Sequence, residues 1–274
     1  MKLLQSGALS NLSLQFQSQK GQYAYFVVRY SGTAQAAQTV TLTDCGNVIM
    51  NWNGQDIINT DVEFLSNLAN VNGGFIEADS AVGAAFNFSV IIPCGTFCDT
   101  NNIYDIGDND KVNFKLDFPL MVAGLISAGT ATVYGVPKPG LHSYFFKLLQ
   151  NNVTVGGAGV NNDVFRQNNL ANIYFWNPAA LLSNLQLFKD GKIQYDGVVA
   201  AEFALSNWLH LLEATFSNLL AIELCLTKNL LEVVSNSNSY QLTFTGAGTQ
   251  RIYLGSIQWD AQKQAESQLN IGKY

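Results

Sequence analysis

Apolar and polar positions alternate with a period of two along much of this chain. In "LQLFKDGKIQYD", Leu185 to Asp196, Leu185 and Leu187 alternate with Gln186 and Phe188, and Ile193 and Tyr195 resume the alternation. Lys189-Asp190-Gly191 stands between the two runs, and Asp-Gly there predicts a hairpin, because glycine takes positive φ without a Cβ clash. "VTLTDCGNVIMNW", Val40 to Trp52, has the same grammar. Strand patterns cover 23–30, 39–44, 47–52, 85–92, 111–118 and 130–136 in the first half. In the second they cover 170–176, 184–189, 192–196, 219–226, 239–245 and 250–259. Gly, Asn, Asp and Pro punctuate them at turn-like spacing. Two stretches have helical spacing instead. "DVEFLSNLAN" opens on Asp61 as an N-cap and sets Val62, Leu65 and Ala69 on one face. "AEFALSNWLHLLEATF" does the same with Phe203, Trp208, Leu211, Leu212 and Phe216.

The order of these patterns repeats. An offset of 145 residues places Gly191 on Gly46, Leu185 on Val40, Ile173 on Val28 and Phe175 on Tyr30. Leu-Ser-Asn recurs at an offset of 140, from Leu65 to Leu205. At an offset of 128, Val112, Phe114 and Leu116 fall on Tyr240, Leu242 and Phe244. An offset that shrinks while the order holds is what loop insertions and deletions do to a duplicated domain. Each half carries enough strands for a jelly roll. The expected fold is therefore all-β: two tandem jelly-roll barrels with short helices in crossovers and linker. Pro137, Pro139 and Gly140 mark the boundary. The N-terminal roll is expected over 1–138. The C-terminal roll, over 139–274, is expected to carry a linker helix in "SYFFKLLQNN" and a C-terminal arm, "DAQKQAESQLNIGKY".

Composition narrows the function. The 274 residues are 48% hydrophobic, enough to fill real cores, but only 12% charged. Soluble domains usually carry about 25% charged residues. Asn, Gln, Ser and Thr supply the missing polarity, and such a surface costs little to desolvate against partner subunits. A net charge of −6 with no Lys/Arg run argues against direct binding to a phosphate backbone. No apolar run reaches the roughly 18 to 20 residues of a membrane helix. The opening "MKLLQSGALSNLSLQF" is too broken for a signal-peptide core, which points to synthesis in a cytoplasm.

Residues with chemical potential are few. Asp105, Asp108 and Asp110 fall within six positions, and carboxylates clustered in a loop are the ligands Ca2+ takes. The spacing is not that of an EF-hand, and Lys111 adds a competing cation, so a solvated turn stands beside the metal reading. Cys45, Cys94, Cys98 and Cys225 form no zinc or disulfide framework and read as free thiols. His210 lies in a helical pattern as a packing residue, and His142 lies in the linker beside Ser143. Neither sits in a catalytic motif. Gly156-Gly157-Ala158-Gly159 has no following helix or Lys to seat a phosphate and reads as a flexible loop. Glu77 and Asp79 have no partner for glycosidase work. Trp52, Trp176, Trp208 and Trp259 sit in apolar periodic contexts, which suits core or subunit-contact roles better than sugar platforms.

The islands "SYFFKLLQNNVTV", "LANIYFW", "LQLFKDGKIQYD" and "FVVRYSGT", with Arg29-Tyr30-Ser31-Gly32 in the last, resemble passages of the corticovirus-type major capsid proteins. These are double jelly-roll coats of tailless icosahedral bacteriophages. "AGLISAGTATVYGVPKPG" has no clear counterpart there. The resemblance implies a non-enzymatic coat protein of the virion, made in a bacterial cytoplasm. It implies homotrimers that present six similar barrels, a pseudo-hexamer, and that tile a shell with neighbouring capsomers. Penton or spike proteins, minor capsid proteins and an underlying viral membrane are the implied partners, with Ca2+ between subunits as an implied ion and no sequence-specific contact to nucleic acid. Two other readings stand beside it. One is a tandem β-sandwich that binds carbohydrate or a receptor, as a phage spike does. The other is a double cupin-like enzyme, which two isolated histidines argue against.

Overall fold

The computed structural model describes residues 1–9, 13–71, 81–95, 102–118, 124–140, 144–165, 170–176, 181–198, 219–223 and 238–259. Alternation becomes strand almost throughout. The first half holds β1 (Lys2–Ala8), β2 (Ser13–Gln17), β3 (Gly21–Ala34), β4 (Asn47–Trp52), β5 (Gln55–Asp61), β6 (Ala85–Pro93), β7 (Tyr104–Ile106), β8 (Val112–Asp117) and β9 (Ile126–Pro137), with α1 (Val62–Val71) after β5. The second holds β10 (Tyr144–Val155), β11 (Gly159–Val164), β12 (Leu170–Trp176), β13 (Leu182–Lys189), β14 (Lys192–Val198), β15 (Leu219–Glu223), β16 (Asn238–Phe244) and β17 (Gly248–Trp259).

The two halves share one strand order. In the first, β1-β9-β3-β6 run side by side, and so do β2-β8-β4-β5. In the second the runs are β10-β17-β12-β15 and β11-β16-β13-β14. With the short β7 set aside, the described residues of each half form eight strands in the orders 1-8-3-6 and 2-7-4-5. That is the double Greek key of a jelly roll. The expected duplication and fold class are both present. One compact unit spans Lys147–Gln258, and Met1–Phe146 forms the body of the other. The division thus falls several residues beyond the Pro137-Pro139-Gly140 boundary expected from the sequence.

Each unit has its own core between inner sheet faces. In the first, Phe26 of β3 meets Phe114 of β8 edge-on, with ring centroids 4.9 Å apart, and stacks on Tyr104 at 5.1 Å. In the second, Ile173, Phe175, Ile252 and Leu254 from one sheet pack with Leu185, Leu187, Tyr240 and Leu242 from the other. Burying one such aliphatic side chain contributes about 1.5–3 kcal/mol.

Local chemistry fixes the turns. Asp190 and Gly191 both have positive φ, 51° and 72°, as the two-residue type I′ hairpin requires. Asn53 and Gly54 do the same between β4 and β5, at 49° and 88°. The true counterpart of the 185–196 hairpin is therefore Trp52-Asn53-Gly54-Gln55, and the alignment of Gly191 on Gly46 is corrected. Leu42–Cys45 is a 3-10 turn, not the end of a strand over 39–44. The Thr41 backbone N–H donates to Asp44 Oδ2 at 2.7 Å, closing the turn on itself. The helix expected at Asp61 is α1, and Asp61 Oδ1 accepts from the Phe64 backbone N–H at 2.7 Å, as an N-cap should. Its buried apolar residues are Val62, Phe64, Leu65 and Leu68.

Two further expectations are corrected. The stretch "YFFKLLQNN", from Tyr144, is no linker helix. It lies in β10, where Phe146 and Leu148 are buried and Phe145, Lys147 and Leu149 are half-buried. Pairing with β17 overrides the helix propensity of its leucines. The Gly-rich loop narrows to a turn at 156–158, and Gly159 already begins β11, paired with Phe244. The helix expected over 201–216, with Trp208 and His210, lies outside the described residues, as does the arm over 260–274.

Candidate assembly surface

The Asp105-Asp108-Asp110 segment closes one end of the first unit. Asp110 sits at its centre. Its Oδ1 accepts from Trp52 Nε1 at 3.2 Å and from Asn53 Nδ2 at 2.9 Å, and its Oδ2 accepts from the Gly107 backbone N–H at 2.8 Å. Asn53 Oδ1 in turn accepts from the Lys111 backbone N–H at 2.8 Å. The β4–β5 turn and the turn before β8 are thereby tied together. Asp108 points the other way, to Lys20 Nζ at 2.7 Å, an exposed ion pair of little energetic weight. Asp105 lies within β7, opposite Gln22. Among the described residues no group of three or more His, Cys, Asp or Glu side chains is placed to hold a metal. Of the three carboxylates named from the sequence, Asp110 closes the turn and Asp108 makes a surface pair, while Asp105 sits in the β7 ladder.

The other named residues do not gather either. Cys45 and Cys94 are buried, while Cys98 and Cys225 lie outside the described residues, as do His142, Ser143, Glu77 and Asp79. Trp52 and Trp176 are buried, at 5% and 7% exposure, so neither offers a ring to a sugar. Nothing is described of the Trp259 side chain.

What the surface does carry is apolar residues on the outermost strands. Leu3 on β1, Ile91 on β6, Val160 and Val164 on β11, and Ile193 on β14 are exposed, and each of these strands ends its sheet. Open edges present unpaired N–H and C=O groups, and solitary proteins guard them with charge, proline or a covering element. On β11 the guard is thin. Val160, Asn161, Asn162, Asp163 and Val164 give β11 a single carboxylate. Sequence patterning foresaw a weakly charged, desolvatable surface but not its location. The signal was legible only at Val160 and Val164, an aliphatic at each end of a polar run.

Whole-chain comparison places the architecture. No family profile matches the chain, and no curated protein matches it in sequence. Solved structures match over nearly its full length. The major capsid protein of bacteriophage PM2 superposes with a TM-score of 0.62 at 16% identity, covering 95% of this chain and 96% of that one. The major capsid protein of Sulfolobus turreted icosahedral virus gives 0.68 at 12% identity, covering 96% and 97%. PBCV-1 VP54 gives 0.66 at 8% identity, covering 93% and 92%. The chain has the double jelly-roll fold. The likeness spans both rolls.

Proposed function

We propose that this chain is the major capsid protein of an icosahedral virus, acting as a structural component of the virion rather than as an enzyme. The carrying observation is the repeated 1-8-3-6 and 2-7-4-5 strand order, in a chain that matches coat proteins from end to end. A chain with two like barrels gives six in a ring of three copies, and six similar lobes approximate a hexagon, which tiles a closed shell with few distinct contacts. The exposed aliphatics on the outermost strands and the 12% charged content support burial against like neighbours. The absence of a basic run among 274 residues supports a coat that meets other virion proteins or an inner membrane rather than bare nucleic acid. Penton, spike and minor capsid proteins are the further partners this role calls for.

Native mass spectrometry of the purified chain tests the reading. A dominant species near three times 29.9 kDa is expected. A chain that stays monomeric at every accessible concentration contradicts it.

A further inference from the structure

We propose that the outer face of the β1-β9-β3-β6 sheet is the surface on which a second copy of this chain packs. The inference rests on the coat-protein reading and adds the location of one contact. Strand register puts four apolar residues in one row across the sheet. Leu3 pairs with Tyr134, Tyr134 with Val27, and Val27 with Ile91. Tyr25 extends this band into the next row, between Val136 and Pro93. Leu3 is 56% exposed, and Tyr25 and Ile91 are each 36% exposed. Farther along the same face the rows turn polar. Ser6 meets Thr132 at 3.1 Å, Ser31 meets Thr130 at 3.1 Å, and Arg29 Nε donates to Asn87 Oδ1 at 2.6 Å. An apolar band beside hydroxyls and a single cation that already has a partner is cheap to desolvate.

The second unit shows what this face does in the same fold. The sequence offset that sets Val28 on Ile173 also sets Val27 on Asn172, Arg29 on Tyr174 and Ser31 on Trp176. On the neighbouring strand, Thr132 corresponds to Tyr253, because Arg29 pairs with Thr132 as Tyr174 pairs with Tyr253. Asn172, Tyr174, Trp176 and Tyr253 are 0%, 2%, 7% and 0% exposed, and none belongs to the core between that unit's sheets. These outer-face side chains of the second roll are thus buried. The same face of the first roll is open, though built on the same strand order. A ring of copies supplies that missing cover from the next chain. A lipid surface would call for several cations on this face, and its described rows carry Arg29 with no cluster around it.

The test compares the full-length wild type with Leu3→Asp and Ile91→Asp, and with Val82→Asp as a control. Val82 is 65% exposed and lies outside the sheets. Oligomeric state is read by native mass and sedimentation over a concentration series, with a thermal melt of each chain. The wild type and the control are expected to assemble alike. The two face variants are expected to need roughly tenfold or more protein to assemble, with unchanged melting of the dissociated chain. Wild-type-like assembly of both face variants overturns this location and leaves the coat reading standing. A wild type that never assembles overturns both. If a face variant melts early, Ile91→Cys takes its place, with maleimide modification at residue 91 mapped by peptide mass. Shielding in the assembly and labelling in the diluted chain support the proposal, and equal labelling overturns it.

Discussion

Val28 and Ile173 hold the same place in the two halves of the chain. Each is fully buried in the third strand of its roll. Val28 pairs with Val90 on one side and Val133 on the other, and Ile173 pairs with Ile222 and Leu254. Both rolls thus close around an aliphatic row at one topological position. Ile173→Ala is expected to cost about 2–5 kcal/mol, since the cavity adds to the lost transfer energy. Val28→Thr is expected to cost about 1–3 kcal/mol, because it buries a hydroxyl in an apolar row. Urea denaturation checks both, and a change under 0.5 kcal/mol in either would deny that these rows anchor the rolls.

Gly32 ends the most distinctive island of the first roll, Arg29-Tyr30-Ser31-Gly32. A Cβ there would collide with the Ala128 carbonyl oxygen and lie 2.8 Å from Gly129 Cα. Backbone on the neighbouring strand cannot swing aside as a side chain can. Gly32→Ala is therefore expected to destabilise by about 1–3 kcal/mol. A melting midpoint equal to wild type would show that the strands separate at no cost.

Alkaline pH is expected to loosen the first roll. Burial pushes the Tyr30 hydroxyl well above its ordinary value of 10.0, and the nearby Cys45 adds to the rise. Burial likewise lifts the Cys45 thiol well above 9.0, with Asp44 adding to it. Both groups keep their protons in the folded chain at pH values where the unfolded chain loses them. Their contribution is complete below the unfolded values and is lost as pH rises beyond about 9 to 10. Thermal melts from pH 7 to 11 are expected to fall in that window, and less steeply in Tyr30→Phe. At pH 7 the same variant is expected to be neutral or slightly stabilising, because the Tyr30 hydroxyl is buried without a hydrogen-bond partner.

Asp110→Ala is expected to cost about 1–3 kcal/mol, because it strands the donors of Trp52, Asn53 and Gly107. Chelator or added Ca2+ is expected to leave the melting midpoint of the isolated chain unchanged. A Ca2+-dependent rise that Asp108→Asn and Asp110→Asn abolish would support the metal reading of this loop.

The sequence made the strands legible where one face is buried and the other wet, as at Phe114 and Leu116 of β8 or Leu185 and Leu187 of β13. It hid β5, because a bulge opposite Met50 and Asn51 lets the adjacent Ile57 and Ile58 both enter the core. That breaks the period of two. It hid β1 and β11, because edge strands with exposed leucine and valine look like loops when read one residue at a time. The duplication was readable at Val28 and Ile173, where burial is equivalent in both rolls. It was misaligned by eight residues at Gly46, where a 3-10 turn imitates the Asx-Gly hairpin that stands at Asn53-Gly54. The assembly surface was legible only as a shortage of charge. Its position depends on register, which brings Leu3, Tyr134, Val27 and Ile91 together from four separate strands.

Electron cryo-microscopy of assemblies formed by the purified full-length chain tests the central claim most directly. The coat-protein account predicts a tile of three chains showing six similar β-barrel lobes, arranged as a near-hexagon and repeated across a curved or closed shell. Discrete monomers, or assemblies in which the barrels do not form sixfold-like rings, would contradict it.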